Sequence, residues 1–179
     1  MLAALTIAAA VAIAVWLVPA VGGAGGSGSA DPAVPGRPAD AFALTVEYVY
    51  DGDTIRATIA SPNDVVTTRD PFRIRLIGID TPEGTPTVEC GADEARARLR
   101  ELLPEGSRVW AAADRESWDR YDRRLFYLWT DDSTFVNHAL VAAGHAEAMP
   151  VRPNVRHAEL FADAEDEARA SEIGRWGSC

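Results

Sequence analysis

Residues Thr54 to Ala60 alternate Thr, Arg and Thr with Ile, Ala and Ile, and the run from Phe72 to Ile79 repeats the same two-residue period. That period sends successive side chains to opposite faces of an extended chain, so each run reads as a half-buried strand. Phe72, Ile74 and Leu76 then share one face of the second run, and Arg73, Arg75 and Ile77 the other. Leu44–Tyr50, Ser107–Ala113 and Arg124–Thr130 are short runs with the same β-branched and aromatic bias. Turn chemistry separates the runs. Asp51-Gly52 is a hairpin signal, residues 61–71 are polar and hold two prolines, and Thr81-Pro82 ends a strand because proline cannot donate to a ladder.

Three stretches have helical character. Ala92–Leu103 stops at Pro104 and Gly106, Thr134–Ala143 has Ser133 as its N-cap and Gly144 at its end, and Asn154–Ala170 is amphipathic. The order is three strands, a helix, two strands and two helices. It predicts an α+β chain built on an OB-fold, a five-stranded Greek-key β-barrel with three helices.

The barrel occupies only part of the 179 residues. Leu2 to Val21 carry no charge, the length that crosses a bilayer as a helix. Residues 1–21 therefore read as a membrane anchor, or as a signal peptide cut after Ala20 or Ala30, where small residues fit a cleavage site. Residues 22–40, rich in Gly, Ala, Pro and Ser, read as a flexible linker, and residues 41–179 as the domain. Both readings of the leader place that domain outside the cell, either secreted or held on the outer face of the cytoplasmic membrane. An exported chain with two distant cysteines, Cys90 and Cys179, is expected to join them in a disulfide; the alternative is two free thiols.

Hydrophobic residues make up 47% of the chain, enough for a core. The net charge is −10 and all 17 basic residues are arginine. Affinity for nucleic acid comes largely from neutralised phosphates, so an acidic chain is a poor general nucleic-acid binder. Any phosphate binding must come from a local group of arginines and must be salt-sensitive.

Such a group is present. Asp53, Asp80 and Glu83 lie at strand ends beside Arg75 and Arg123. Hard oxygen ligands suit a cation such as Ca2+, and arginine forks suit phosphate oxygens. Taken singly the pieces stay ambiguous: Asp51-Gly52-Asp53 is also an ordinary turn, and Asp80-Thr81-Pro82 an ordinary strand exit. Arg75 lies on a face otherwise apolar, and a lone buried charge there needs a partner or a cleft. The three histidines, His138, His145 and His157, lack metal-site context. Trp110, Trp129 and Trp176 read as core, and Trp118, near the Arg123 turn, as packing, with lining of the cleft as the alternative.

The combination is more specific than its parts. Val49-Tyr50-Asp51-Gly52-Asp53-Thr54-Ile55, Arg75 to Glu83, Cys90 to Ala95, Asp119 to Leu125, Val136 to Val141 and Ile173-Gly174-Arg175-Trp176 occur in one order. In that order and spacing the chain resembles the staphylococcal (micrococcal) nuclease family, the thermonucleases, from about Thr45 to Trp176. The resemblance implies a monomeric endonuclease that hydrolyses DNA and RNA to 3′-phosphates. It implies a calcium ion held by Asp53, Asp80 and the Thr81 backbone oxygen, with Glu83 as general base or water-orienting group. Arg75 and Arg123 would grip the phosphate, and Arg120 and Tyr121 a neighbouring one. The family's stacking tyrosines are missing from Met149-Pro150-Val151-Arg152-Pro153-Asn154. The rival expectation is a catalytically weak or inactive OB-fold module that binds nucleic acid at the cell envelope.

Overall fold

A computed structural model describes residues 34–179; the apolar leader and linker residues 22–33 lie outside them. The strands are β1 (Phe42–Val49), β2 (Thr54–Thr58), β3 (Phe72–Leu76), β4 (Gly78–Asp80), β5 (Arg108–Ala112), β6 (Arg124–Thr130) and β7 (Glu147–Met149). The helices are α1 (Ala92–Leu102), α2 (Val136–Ala142), α3 (Ala158–Ala170) and the short α4 (Arg175–Ser178). The barrel closes in the order β1-β2-β3-β6-β5, with β4 and β7 as a separate pair. Only β3 and β6 of the barrel run parallel. This is the five-stranded OB-type barrel that the alternating runs predict. Among the described residues no helix is long and apolar enough to cross a membrane.

The interior follows the period. Val46, Ile55, Ile74, Phe126 and Leu128 are almost wholly buried inside the sheet, and Leu99 of α1 and Leu103 just past its end join the same core. Trp129 stacks on Phe135 with ring centroids 4.5 Å apart. Truncating one such side chain to alanine typically costs about 2–5 kcal/mol, so the scaffold that carries the loops is stiff.

The run from Phe72 to Ile79 is not one strand. It breaks at Ile77, and Gly78 takes a φ of 82°. A Cβ on Gly78 would lie 2.6 Å from the Phe161 ring of α3, so the helix presses on the backbone where only glycine fits. Buried Asn137 fixes the break by donating to the Ile77 carbonyl at 2.9 Å and accepting from the Leu128 N–H. Beyond the break, β4 leaves the barrel and pairs with β7, with Ile79 opposite Ala148 and Asp80 opposite Glu147.

Other boundaries differ for local reasons. Ser133 does not cap α2. It takes a φ of 70°, Phe135 is the N-cap, and Thr130 accepts the Thr134 N–H at 2.9 Å instead. The last long helix begins at Ala158 rather than Asn154. Buried Asn154 is used elsewhere, accepting the N–H groups of Arg115 and Glu116 at 3.0 and 2.9 Å. The final residues of the Gly/Pro/Ser-rich stretch touch the domain: Trp129 Nε1 donates to Pro35, and Arg37 lies over Trp110. Trp110 and Trp176 are half-buried rather than core. Cys90 and Cys179 form a disulfide that ties the end of the chain to the residues just before α1.

Candidate active site

Asp53 sits at the start of β2, where the loop from Tyr50 must pass close to α1. Gly52 permits that passage, because a Cβ there would lie 2.7 Å from Thr81 Oγ1 and 2.8 Å from Ala95 Cβ. Asp53 Oδ2 accepts the N–H and the hydroxyl of Thr81, both at 3.1 Å, while its Oδ1 accepts from Thr54. The residue is 5% exposed.

Arg75 comes from the end of β3, and the break after Leu76 turns two carbonyls toward it. Its Nη1 donates to Leu76 and Ile79 oxygens at 2.7 and 2.8 Å. Its Nη2 lies 2.9 Å from Asp53 Oδ2 and 2.6 Å from Asp80 Oδ1. One guanidinium therefore has four acceptors and one orientation.

Glu83 follows two buried residues, Thr81 and Pro82, and is exposed. Its backbone N–H donates to Glu89 Oε2 at 2.9 Å, which shapes the loop. Burial raises its carboxyl above the usual range, and the charges of Asp51 and Asp80 push the same way. Asp80 is raised chiefly by burial, against Arg75 and with Glu147 and Glu89. Asp53 is pushed up to about 7, mainly by burial, with Arg75 opposing and Asp51 and Asp80 adding.

Asp53 and Asp80 thus share a single guanidinium, while Glu83 stands in the exposed loop beyond them without an ion pair among the described residues. The three carboxylates carry more negative charge than Arg75 balances, and every donor is a hard oxygen. That donor set fits a hard cation. Among the described residues no three Asp, Glu, His or Cys side chains converge closely enough to hold a metal alone.

Arg123 opens from the turn before β6. Asp119 organises that turn: its Oδ1 accepts the N–H groups of Tyr121 and Arg123, both at 2.9 Å, and its Oδ2 accepts Arg123 Nε at 2.7 Å. Burial opposes the charge on Asp119, yet these hydrogen bonds and the Arg123 charge hold its carboxyl below the usual range. Asp119 heads the run from Asp119 to Leu125, yet nothing in its residue type alone marks a role; its spacing four residues before Arg123 is the signal that could have. Tyr121 is exposed, with the guanidinium carbons of Arg120 and Arg123 at 4.8 and 5.4 Å from its ring centre, and Arg120 Nη2 donates to its hydroxyl.

Arg75 and Arg123 line one cavity of about 490 Å³, together with Arg120, Tyr121 and Trp118. Met149 and Val151, in the stretch without tyrosines, form its apolar side. Arg75 is the hinge of the arrangement, gripping the carboxylates on one side and lining the cavity on the other. The His residues lie elsewhere; His157 packs among Tyr127, Phe135 and Phe161.

Comparison with known proteins agrees with this geometry. Residues 73–178 match the family model described as staphylococcal nuclease homologue. The chain is 33% identical over 135 residues to a thermonuclease of Staphylococcus intermedius, covering 73% of this chain and 74% of that protein. It is 30% identical over 136 residues to the thermonuclease of Staphylococcus hyicus, with 73% of each covered. To a micrococcal nuclease of Shigella flexneri it is 29% identical over 143 residues, covering 75% of this chain and 74% of the other. A closed barrel, paired arginines on one cavity and these relatives lead to one conclusion: the chain belongs to the staphylococcal nuclease family and is a phosphodiester-hydrolysing nuclease.

Proposed function

We propose that the chain is a calcium-dependent endonuclease in which Glu83 activates water for in-line attack on a phosphodiester of DNA or RNA. The observation that carries this reading is the position of Arg75, fixed by Asp53 and Asp80 while lining the cavity that Arg123 also lines.

Asp53, Asp80 and the backbone oxygen of Thr81 would hold the calcium. When bound, the ion supplies a Lewis acid that polarises a phosphoryl oxygen. Arg75 and Arg123 bind two oxygens of the same phosphate. Arg75 is held by its four acceptors and Arg123 by Asp119, so neither pays reorganisation as charge builds on phosphorus. Glu83 takes the proton of the attacking water, and its raised carboxyl makes it a better base than an ordinary surface glutamate. The P–O bond to the leaving sugar oxygen breaks on the opposite side, and that oxygen takes a proton from solvent. Tyr121 and Arg120 orient the neighbouring phosphate. By resemblance the product keeps the phosphate on its 3′ oxygen.

The disulfide supports an oxidising compartment. We read residues 1–21 as a leader or anchor, residues 22–40 as a linker and residues 41–179 as the nuclease domain, secreted or on the outer face of the membrane and acting as a monomer. Digestion of plasmid and of RNA with millimolar calcium, against a chelator control, tests the function. Cleavage that persists undiminished in chelator overturns the metal assignment.

A further inference from the structure

The turn before the barrel's last strand ends in Arg123, and β6 itself begins with Arg124. These two neighbouring side chains reach different cavities. Arg123 lines the one described above. Arg124 lines a second of about 490 Å³, beside Arg115 and Ser117. Trp118 is the wall between them, since it borders both and is 44% exposed.

Arg124 is an unusual arginine. The residue is 5% exposed, yet among the described residues it forms no ion pair and its side chain makes no hydrogen bond; its Nε is buried without a partner. Its guanidinium carbon lies 3.5 Å from the centre of the Trp118 ring, which fixes both groups. Burial pulls its affinity for the proton down, with only Asp122 opposing. Even partial withdrawal of an unpaired charge from water is costly, although the two Nη groups keep contact with solvent. The carboxylates of the second cavity do not repay it. Asp114 is taken by the Tyr127 hydroxyl at 3.2 Å and the Arg156 N–H at 3.0 Å, and Asp64 is exposed. Among the described residues no carboxylate of that cavity pairs with Arg124.

We propose that the second cavity, on the far side of Trp118 from the catalytic arginines, binds a further phosphate of the nucleic-acid strand through Arg124 and Arg115. The strand crosses Trp118, which offers its exposed ring surface to an unstacked base. This assigns the stacking role to a residue of the turn, in a chain whose Met149–Asn154 stretch has no tyrosine. It also explains how an acidic protein grips a polyanion: two cavities with arginines, one on each side of an aromatic wall, rather than a basic surface.

The inference rests on a nucleic-acid substrate, and the test separates it from the catalytic reading by measuring affinity without cleavage. Affinities of fluorescent oligothymidylates with one and with four phosphates are read by anisotropy in chelator, at several salt concentrations. Cleavage is followed in parallel with calcium, where loss in Glu83→Gln reports on catalysis alone. The wild type should bind the longer strand at least about tenfold more tightly. Arg124→Met and Arg115→Glu should each erase most of that gain while leaving the one-phosphate ligand unchanged. The slope of log affinity against log salt for the longer strand should fall by about 0.7 in Arg124→Met, the loss of one single-strand phosphate contact. Arg115 is exposed, so its variant keeps the test valid if Arg124→Met does not fold. Equal weakening of both ligands with an unchanged salt slope would mean that Arg124 only pins Trp118, and would overturn the proposal. So would a wild type without a length-dependent gain, or variants that bind like the wild type.

Discussion

Arg75 Nη2 stands 2.9 Å from Asp53 Oδ2, and both side chains are nearly closed to solvent. Breaking a buried pair from one end leaves the other charge uncompensated, typically at a cost of about 3–5 kcal/mol. Arg75→Ala should therefore lose stability as well as activity, by an amount in that range in urea unfolding without metal. Arg123→Ala, whose side chain is half-buried, should lose activity with much less change in unfolding. Equal, small stability losses in both variants would show that Arg75 is not the anchor of the site.

The same contact gives a pH signature in the metal-free protein. Asp53 titrates at about 7 when folded, burial being the main cause, against an ordinary value of 3.8. Between those values the folded chain keeps a proton that the unfolded chain has released. This contribution is full below the unfolded value and is lost as pH rises through the folded one. The stability of the wild type relative to Asp53→Asn should thus fall from pH 4 to pH 7 in chelator. Calcium, by favouring the ionised carboxylate, should flatten or reverse the trend. The three histidines, each lowered by burial, act in the opposite sense but are common to both proteins and cancel in the difference.

Asp119 is expected to matter through Arg123. It accepts Arg123 Nε at 2.7 Å and two backbone N–H groups of the same turn. Asp119→Ala should lower kcat by about 10- to 100-fold, somewhat less than loss of the arginine itself, since removing one preorganised donor costs about 10²–10³. Asp119→Asn, which keeps one of the two acceptor oxygens, should restore part of the rate. A pair of variants with equal, unimpaired kcat would separate Asp119 from the site.

The Cys90–Cys179 bridge closes a loop over 89 residues of sequence separation. Its reduction should cost about 2–5 kcal/mol, read as a fall in Tm on adding reductant. The calcium-saturated kcat should survive at temperatures where the reduced chain is folded, because Cys90 lies outside the Asp53–Arg75–Asp80 contacts. An unchanged Tm would mean that the bridge adds nothing to the fold.

The barrel was legible because a two-residue period is local: Ile55, Ile74 and Phe126 announce their faces within their own strands. The carboxylates and arginines were legible because turns at Asp51-Gly52 and Thr81-Pro82 put them at strand ends, and because the motifs resemble a known family. The split at Gly78 was not, since it is imposed by Phe161 from a helix remote in sequence. Three residues are too few for β7 to show a period, and Ser133 looked like a cap only until Thr130 and Asp132 took over the turn. Trp118, near the Arg123 turn, read as packing or as cleft lining; it does line that cleft, but nothing in the sequence reveals the second cavity on its other side.

The most direct measurement is single-turnover cleavage of a short oligonucleotide at saturating calcium by wild type and Glu83→Gln. Glu83 is exposed and its carboxylate makes no hydrogen bond among the described residues, so the variant should fold and bind as the wild type does. A base of this kind typically contributes about 10²–10⁴ in rate, and the variant should be slower by that factor, with oligonucleotide affinity unchanged. A folded variant that cleaves at the wild-type rate would contradict the assignment of water activation to Glu83.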